Sequence, residues 1–452
     1  MADSSLATSF VIKHGQIDQF GYKITFRKNT NKSSTQTGFT TYVRFFRIYE
    51  SLFSKFMYVE GTITDGGGMI QRLGVQPGDI MEIDLFKDPS DPIELKISKE
   101  FVIEQIGGQD RGDGQKVTRY TFRAVSKIAY ENLKNKVKKY LKGSATSIVK
   151  GLTQEYLKAE PALVKDENFT QTSGTINYIA SSVSPFEAIE QCIKLSQAKE
   201  DEYDANFFYY ETKDSIKFKS LKDIVSSANA FSYSLQVDKN RDQTSAANDY
   251  FRIQEFAHQS STDQRQKLQA GGLKNKTVGF NFISRKIEET TFDLKQDFKN
   301  ILVMGPNLFM DEEEIDNYVS DENRFTDEEQ CLFVRCSSES YDQPADYIIS
   351  SNGPRKAQMA LMNQTVVSIT VHGNPRIRPG DIINLDVSMS SAESKQEKDM
   401  MLSGKFLVGS CAHSVGDAEQ YVTVCDLFKD GYEKSIQDYR RDMNDHLVKP
   451  RA

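Results

Sequence analysis

The chain has 452 residues, 38% of them hydrophobic, with 28 Phe, 20 Tyr and no Trp; at roughly 100–200 residues per domain this is material for about three cores. A net charge of -7 and a pI near 5.5 exclude a dedicated nucleic-acid binder, which carries a basic face. Five cysteines (Cys192, Cys331, Cys336, Cys411, Cys425) without a CxxC pair, no apolar run near ~18 residues and no signal-peptide pattern at the start read as a soluble chain made in a reducing cytoplasm.

From Phe10 to Lys127 the pattern predicts short strands, such as Tyr22–Arg27 and Tyr42–Tyr49, separated by turns at Asp65–Met69 and Gly107–Gln115. Tyr130, Leu133, Val137 and Tyr140 recur at helical spacing, and Gly143 predicts the helix end. Ser144 then opens a second helical stripe through Ile148, Leu152 and Tyr156. A third helix is predicted from Ser184, where Glu187 completes a capping box and Pro185 takes the first helical position. Its buried face would be Phe186, Ile189 and Ile193, and a hairpin follows in ANFFYYE and SIKFKSL. Residues 129–222 thus read as an α/β module. Beyond Leu221 lie polar loops, then a block at 311–329 with ten carboxylates against Arg324, the composition of a solvated insertion. Strands resume over Gln364–Lys429, and a charged tail ends the chain.

One phrase occurs twice. Val75–Leu85 (VQPGDIMEIDL) and Ile377–Val387 (IRPGDIINLDV) share five identical residues of eleven, and four more positions exchange one apolar residue for another. Each copy is followed by a similar strand, Lys99–Ile103 or Gly404–Val408, then a turn and an alternating strand. Pro77 to Lys127 and Pro379 to Lys429 both span 50 positions. Pro followed by Gly predicts a type II turn, because Pro fixes φ and Gly accepts φ > 0. In the strands that follow, Met81, Ile83 and Leu85 oppose Glu82 and Asp84, as Ile383, Leu385 and Val387 oppose Asn384 and Asp386. One wet face argues for antiparallel sheets, and the repeat argues for a duplicated β domain.

Catalytic signatures are weak. No His pair has i,i+4 spacing, and DGGGM (Asp65–Met69) lacks the GK[ST] of a phosphate loop. Cys411, His413 and Asp417 are neighbours in sequence, but catalytic partners normally meet from separate segments, so a buried Cys beside a strand-end His is the better reading. The RGD at Arg111–Asp113 reads as a hairpin loop, and the acidic block lacks the central Gly of an EF-hand. The lysines of Lys134–Lys142 read as the solvated face of an amphipathic helix. No catalytic, cofactor-binding or metal-ligating residue is assigned.

The order of parts — a β domain, YENLKNKVKKYLKGSATSIVKGL, SPFEAIEQCIKLSQ with the FFYYETKDSIKFKSL hairpin, then GNPRIRPGDIINLDV and GKFLVGSCAHSV — resembles the central baseplate hub proteins of contractile-tailed phages. It is also similar to the hub part of type VI secretion spike proteins. The resemblance implies an α+β, mainly β chain: tube-like antiparallel barrels at 1–128 and at 223–300 with 362–430, the α/β module at 129–222 between them, an acidic linker at 301–361 and a tail at 431–452. It implies a homotrimer whose six barrels form a pseudo-sixfold ring in the virion baseplate. That ring would join the hexameric tail tube to the trimeric central spike, contact wedge proteins, and enclose a channel for genomic DNA without specific binding or membrane insertion. No spike domain follows Lys429, so the spike would be a separate polypeptide. Two other classes compete: a tail-borne peptidoglycan hydrolase, with Glu187 or Asp417 as first candidates, and an adaptor in a bacterial contractile injection system.

Overall fold

The computed structural model describes residues 20–432 except 30–36, 39, 87–95, 111–115, 236–249, 262–270, 272–273, 282–284, 286, 294–306, 309–331, 338–345, 364, 389–397, 400–401 and 417–419. The RGD, the acidic block, Asp417 and nearly all of the tail therefore lie outside the described residues.

The chain begins with strands β1 (Gly21–Arg27), β2 (Thr37–Gly38), β3 (Val43–Ser51) and β4 (Tyr58–Asp65), a short helix α1 (Met69–Leu73), then β5 (Ile80–Phe86), β6 (Lys96–Asp110) and β7 (Thr118–Ser126). Their order across the sheet is β3-β4-β7-β6-β5-β1-β2, with every pairing antiparallel. Alternate residues point inward, so Phe46, Ile48, Val59, Ile63, Met81, Ile83 and Leu85 share one core.

Helix α2 (Lys127–Lys134), strand β8 (Val137–Gly143), helix α3 (Ala145–Glu155), strand β9 (Ile176–Val183), helix α4 (Pro185–Lys194), the hairpin β10 (Phe207–Glu211) and β11 (Ile216–Ser220), and helix α5 (Leu221–Ser226) form the middle module. The Ser184–Glu187 capping box is present with Pro185 in the first turn, and Ser144 caps α3 by accepting from the Ser147 amide. The expected helix through Gly143 is not formed. It ends at Lys134, where Asn135 turns extended and donates from Nδ2 to the Tyr156 carbonyl at 2.7 Å. Val137 to Gly143 instead pair antiparallel with β9. Of the residues at helical spacing, Val137 is buried but Leu133 and Tyr140 are 66% and 55% exposed, so that spacing marks no buried helical face; the buried strand positions are Val137 and Leu141.

Strands β12 (Ala230–Leu235) and β13 (Ile253–Ser261) are followed by β14 (Lys274–Asn281), β15 (Ile287–Asp293), the two-residue β16 (Asn307–Leu308), β17 (Leu332–Ser337) and helix α6 (Asp346–Met362). Last come β18 (Thr365–His372), β19 (Ile382–Val387), β20 (Gly404–Val415), β21 (Tyr421–Lys429) and β22 (Gly431–Tyr432), which pairs with β16. β14 and β15, grouped on sequence with the second β domain, join β17 in a separate three-stranded sheet. Gly279 and Gly353 let α6 approach that sheet, since a Cβ on Gly279 would lie 1.9 Å from Ile349 Cδ1. Ordered structure therefore occupies part of 301–361, which the sequence reads as linker.

The second β unit runs β13-β18-β21-β20, with β19 and then β12 continuing from β20. Its core holds Tyr233, Ile253, Val367, Ile369, Ile383, Leu385, Phe406 and Leu427. The described chain is mainly β with predominantly antiparallel sheets. Among the described residues neither unit closes a continuous hydrogen-bonded barrel. Each sheet curls until its last strand meets the segment leading into its first. Tyr22 Oη donates to the Val43 carbonyl at 3.0 Å, and the Ser234 amide donates to the Phe251 carbonyl at 3.0 Å.

The two units correspond in detail. Gly78 (φ 95) and Gly380 (φ 92) hold the same left-handed backbone. The Gly78 amide donates to Ile103 O at 2.7 Å, and the Gly380 amide to Val408 O at 2.8 Å. Asp79 accepts from the Gln76 amide at 3.0 Å, and Asp381 from the Arg378 amide at 2.9 Å. Two irregularities in the ladders match, while those at Gly107/Asp110 of β6 and His258/Ser260 of β13 have no counterpart among the described residues of the other unit. β6 bulges between Ile103 and Gln105 where β20 bulges between Val408 and Ser410. β3 bulges between Val43 and Phe45 where β13 bulges between Ile253 and Glu255. One element differs, because β1 runs antiparallel to β5 whereas β12 runs parallel to β19.

Candidate assembly site: the seam between the two sheets

The two β units are joined by one strand. β20 pairs with β19 through Gly404–Leu407, then bends at its bulge and pairs along the same edge with β3, from Ser410 opposite Ser51 to Val415 opposite Phe46. The Leu52 amide extends this ladder to the Gly409 carbonyl at 2.8 Å. Beneath the seam Leu52, Phe208, Tyr210, Leu221, Ile224, Met362 and Leu407 pack as a cluster drawn from all parts of the chain.

Beside this apolar joint lies a buried charged knot made by the β10–β11 turn. Glu211 accepts from Lys99 Nζ at 2.8 Å and from the Met57 amide at 3.1 Å, with both charged side chains nearly sealed from solvent. Lys99 also donates to the Thr212 carbonyl at 3.3 Å, and Lys213 Nζ donates to the Lys96 carbonyl at 2.9 Å. Arg378, from the second copy of the repeated phrase, pairs with Asp214 at 2.6 Å. The module thus holds the first unit by Glu211 and Lys213 and the second by Asp214.

Glu50 sits on β3 opposite Cys411, with 1% of its surface exposed and, among the described residues, no hydrogen-bond donor to either carboxylate oxygen. Burial pushes its pKa up to about 7, against the lowering pull of Lys213, Lys99 and Arg378. Asp381 is likewise raised by burial, to about 6. A fully buried carboxyl without a donor is costly when ionised, so its charge state depends on the cations gathered around the seam.

The structure brings Cys411 and His413 together but builds no nucleophile from them. Cys411 Sγ lies 3.9 Å from His413 Nε2, and His413 Nδ1 is 2.9 Å from Tyr421 Oη and 3.3 Å from Thr423 Oγ1. Both residues are buried; desolvation drives the thiol pKa well up and holds the imidazole neutral down to about 3. They are strand residues of the seam, whose ladder sets Cys411 opposite both Cys425 and Glu50. Glu187, the other catalytic candidate, spends its carboxylate on the Ser184 amide at 2.6 Å as a helix cap. Among the described residues no group of three or more His, Cys, Asp or Glu is placed to hold a metal ion, and no helix is long and apolar enough to cross a membrane. Sequence reasoning did not pick out Glu50, Lys99, Glu211 or Arg378; only the motif position of Arg378, directly before PGDI, carried a signal.

The sequence matches no protein-family model and no curated protein. Its structure, however, is similar to that of the tail protein from Neisseria meningitidis MC58, with a TM-score of 0.51 at 10% identity, covering 91% of this chain and 97% of that one. It is also similar to the 43 kDa tail protein of prophage MuSo2 from Shewanella oneidensis, with a TM-score of 0.53 at 10% identity over 91% and 100% of the two chains. The chain has a phage tail-protein fold. The match spans nearly the whole of both chains, so it is not confined to one of the two β units or to the module.

Proposed function

We propose that the chain is the structural hub of a contractile phage tail baseplate. Three copies form a pseudo-sixfold ring that joins a sixfold tail tube to a threefold central spike, meets the surrounding wedge proteins and encloses a channel through which DNA passes. In this reading residues 1–128 and 223–261 with 362–430 are two tube-like barrels of common origin, and 129–222 is the module that locks them. The sheet and helix between β13 and β18 are a lobe inserted into the second barrel. The observation that carries the reading is the matched pair of β units, with the same turn hydrogen bonds and one shared bulge in each of two corresponding strand pairs, within a tail-protein fold. A trimer can offer six similar surfaces only if each chain supplies two. The buried Cys411–His413 pair and the capped Glu187 support a structural role over hydrolysis.

The test is assembly. The purified chain, mixed with candidate tube and spike proteins from the same source, should form a complex containing three copies of the chain that binds both partners. A chain that remains monomeric and binds neither would contradict the proposal, and lytic activity on purified peptidoglycan lost on Glu187→Gln would favour the hydrolase instead.

A further inference from the structure

Two charged features of the sequence take no part in the seam: the lysines of Lys134–Lys142 and the acidic block at 311–329. Most of these lysines sit on the two-stranded sheet β8–β9, one face of which closes the module. Val137, Leu141, Ile176 and Ala180 point from that face into the module core. The cross-strand pairs Lys138–Ser181, Tyr140–Ile179 and Lys142–Asn177 share the outer face, where all but the half-buried Asn177 are exposed. No other strand pairs with β8 or β9 among the described residues.

The outer face combines an apolar centre with basic flanks. Tyr140 and Ile179 stand directly opposite each other, each more than half exposed. The Tyr140 hydroxyl donates to Asn177 Oδ1 at 2.7 Å, which leans the ring across the sheet. Lys138 and Lys142 bracket this pair about 13 Å apart, four strand steps of roughly 3.3 Å. Neither strand holds an Asp or Glu, and Lys136 adds a cation just before β8. Lys139 points the other way and is matched by Glu155 at 2.7 Å, whereas Lys138 has no ion-pair partner among the described residues. A single exposed apolar residue is ordinary, but an opposed pair between lysines, in a chain of net charge -7, suits an occupant that is acidic and partly apolar.

We propose that the outer face of β8–β9 binds the acidic block of the same chain, residues 311–329. The block has the complementary chemistry: ten carboxylates, with Ile315, Tyr318, Val319 and Phe325 among them. It is also within reach. Leu332, where β17 begins, lies opposite Lys276, and the neighbouring Asn275 donates to the Gly353 carbonyl at 3.3 Å. Two residues on, Arg355 donates to the Lys194 carbonyl at the end of α4. Helix α4 covers about 15 Å back to Ser184, next to the end of β9. At up to about 3.5 Å per residue, the block can reach roughly 40 Å from Leu332. A nucleic-acid strand is the less apt occupant, because the aliphatic Ile179 offers no stacking platform and the chain is net acidic. The inference does not depend on the ring: a monomer would show it equally.

The test is zero-length crosslinking of the full-length chain with a water-soluble carbodiimide, which couples a lysine amine to a carboxylate in contact with it. Mass spectrometry should find Lys138 or Lys142 joined to an acidic residue of 311–329. The Lys139–Glu155 pair serves as the internal control. The yield should fall roughly fivefold or more between about 50 mM and about 500 mM salt. It should fall roughly tenfold in Tyr140→Ser with Ile179→Ser, two exposed positions whose loss leaves the module core intact. With isotope-labelled and unlabelled chains mixed, the coupled peptides should carry a single label. Coupling of Lys139 to Glu155 without any product from Lys138 or Lys142 to the block would overturn the proposal. Mixed-label products would overturn the same-chain assignment. Displacement of the block by a single-stranded oligonucleotide that protects the β8 and β9 amides from exchange would overturn it in favour of nucleic acid.

Discussion

Gly78 and Gly380 adopt φ values of 95 and 92, which L side chains rarely hold, so both should resist substitution. Gly78→Ala should lower stability by roughly 1–2 kcal/mol in thermal denaturation. Gly380→Ala should cost more, because its Cβ would lie 3.0 Å from Ile224 and 3.1 Å from the Tyr210 hydroxyl, inside the joint. These glycines were legible in the sequence, since PGD at a turn before an alternating strand has few other solutions. Glu50 was not legible. It occupies an ordinary inward-facing strand position, and only pairing with a strand more than three hundred residues away seals it. Its pKa is raised from 4.5 to about 7, so the folded chain holds this proton more tightly than the unfolded chain. The resulting stabilisation is complete below pH 4.5 and disappears as pH rises through 7. Glu50→Gln should therefore gain stability relative to wild type between pH 5 and pH 8, by no more than roughly 3 kcal/mol, measured as the difference in unfolding midpoints.

Among the elements, the β10–β11 hairpin ties the two sheets together beside the seam and was read directly from its alternation. What the sequence did not show is that its turn delivers three charged residues in succession, Glu211, Lys213 and Asp214, to two different sheets. Glu211→Ala leaves the nearly buried Lys99 ammonium without its carboxylate and should lower stability by about 3–5 kcal/mol, whereas an exposed pair such as Arg123–Glu104 should matter little. Helix α6 is tied to the module by Arg355, which donates to the carbonyls of Ala205, Lys194 and Ser196 at 2.7–2.8 Å. Arg355→Lys loses the planar fork that reaches three acceptors. Faster hydrogen exchange in 346–362 and at the end of α4 should follow, with a loss of at least about 1.5 kcal/mol. The misread element, β8, shows the limit of periodicity. Apolar residues at helical spacing there included the exposed Leu133 and Tyr140, and the element is decided by Asn135 and by the partner strand β9.

For the whole molecule, the sequence carried the duplication in a single short phrase and two equal spans. The structure extends that correspondence to hydrogen bonds and bulges that leave no trace in residue identity. The reversed direction of β12, the lobe between β13 and β18, and the seam itself arise from long-range pairing. No local pattern specifies them. The two β units share one backbone plan within a single chain. The most direct check is particle mass together with two-dimensional class averages, for the full-length chain alone and with the tube and spike proteins proposed as its partners. The account predicts a chain stoichiometry of three, about 154 kDa from chains of 51.3 kDa, and ring views with six near-equivalent lobes. A monomer under all these conditions, or a closed dimer joined through a twofold contact, would contradict it.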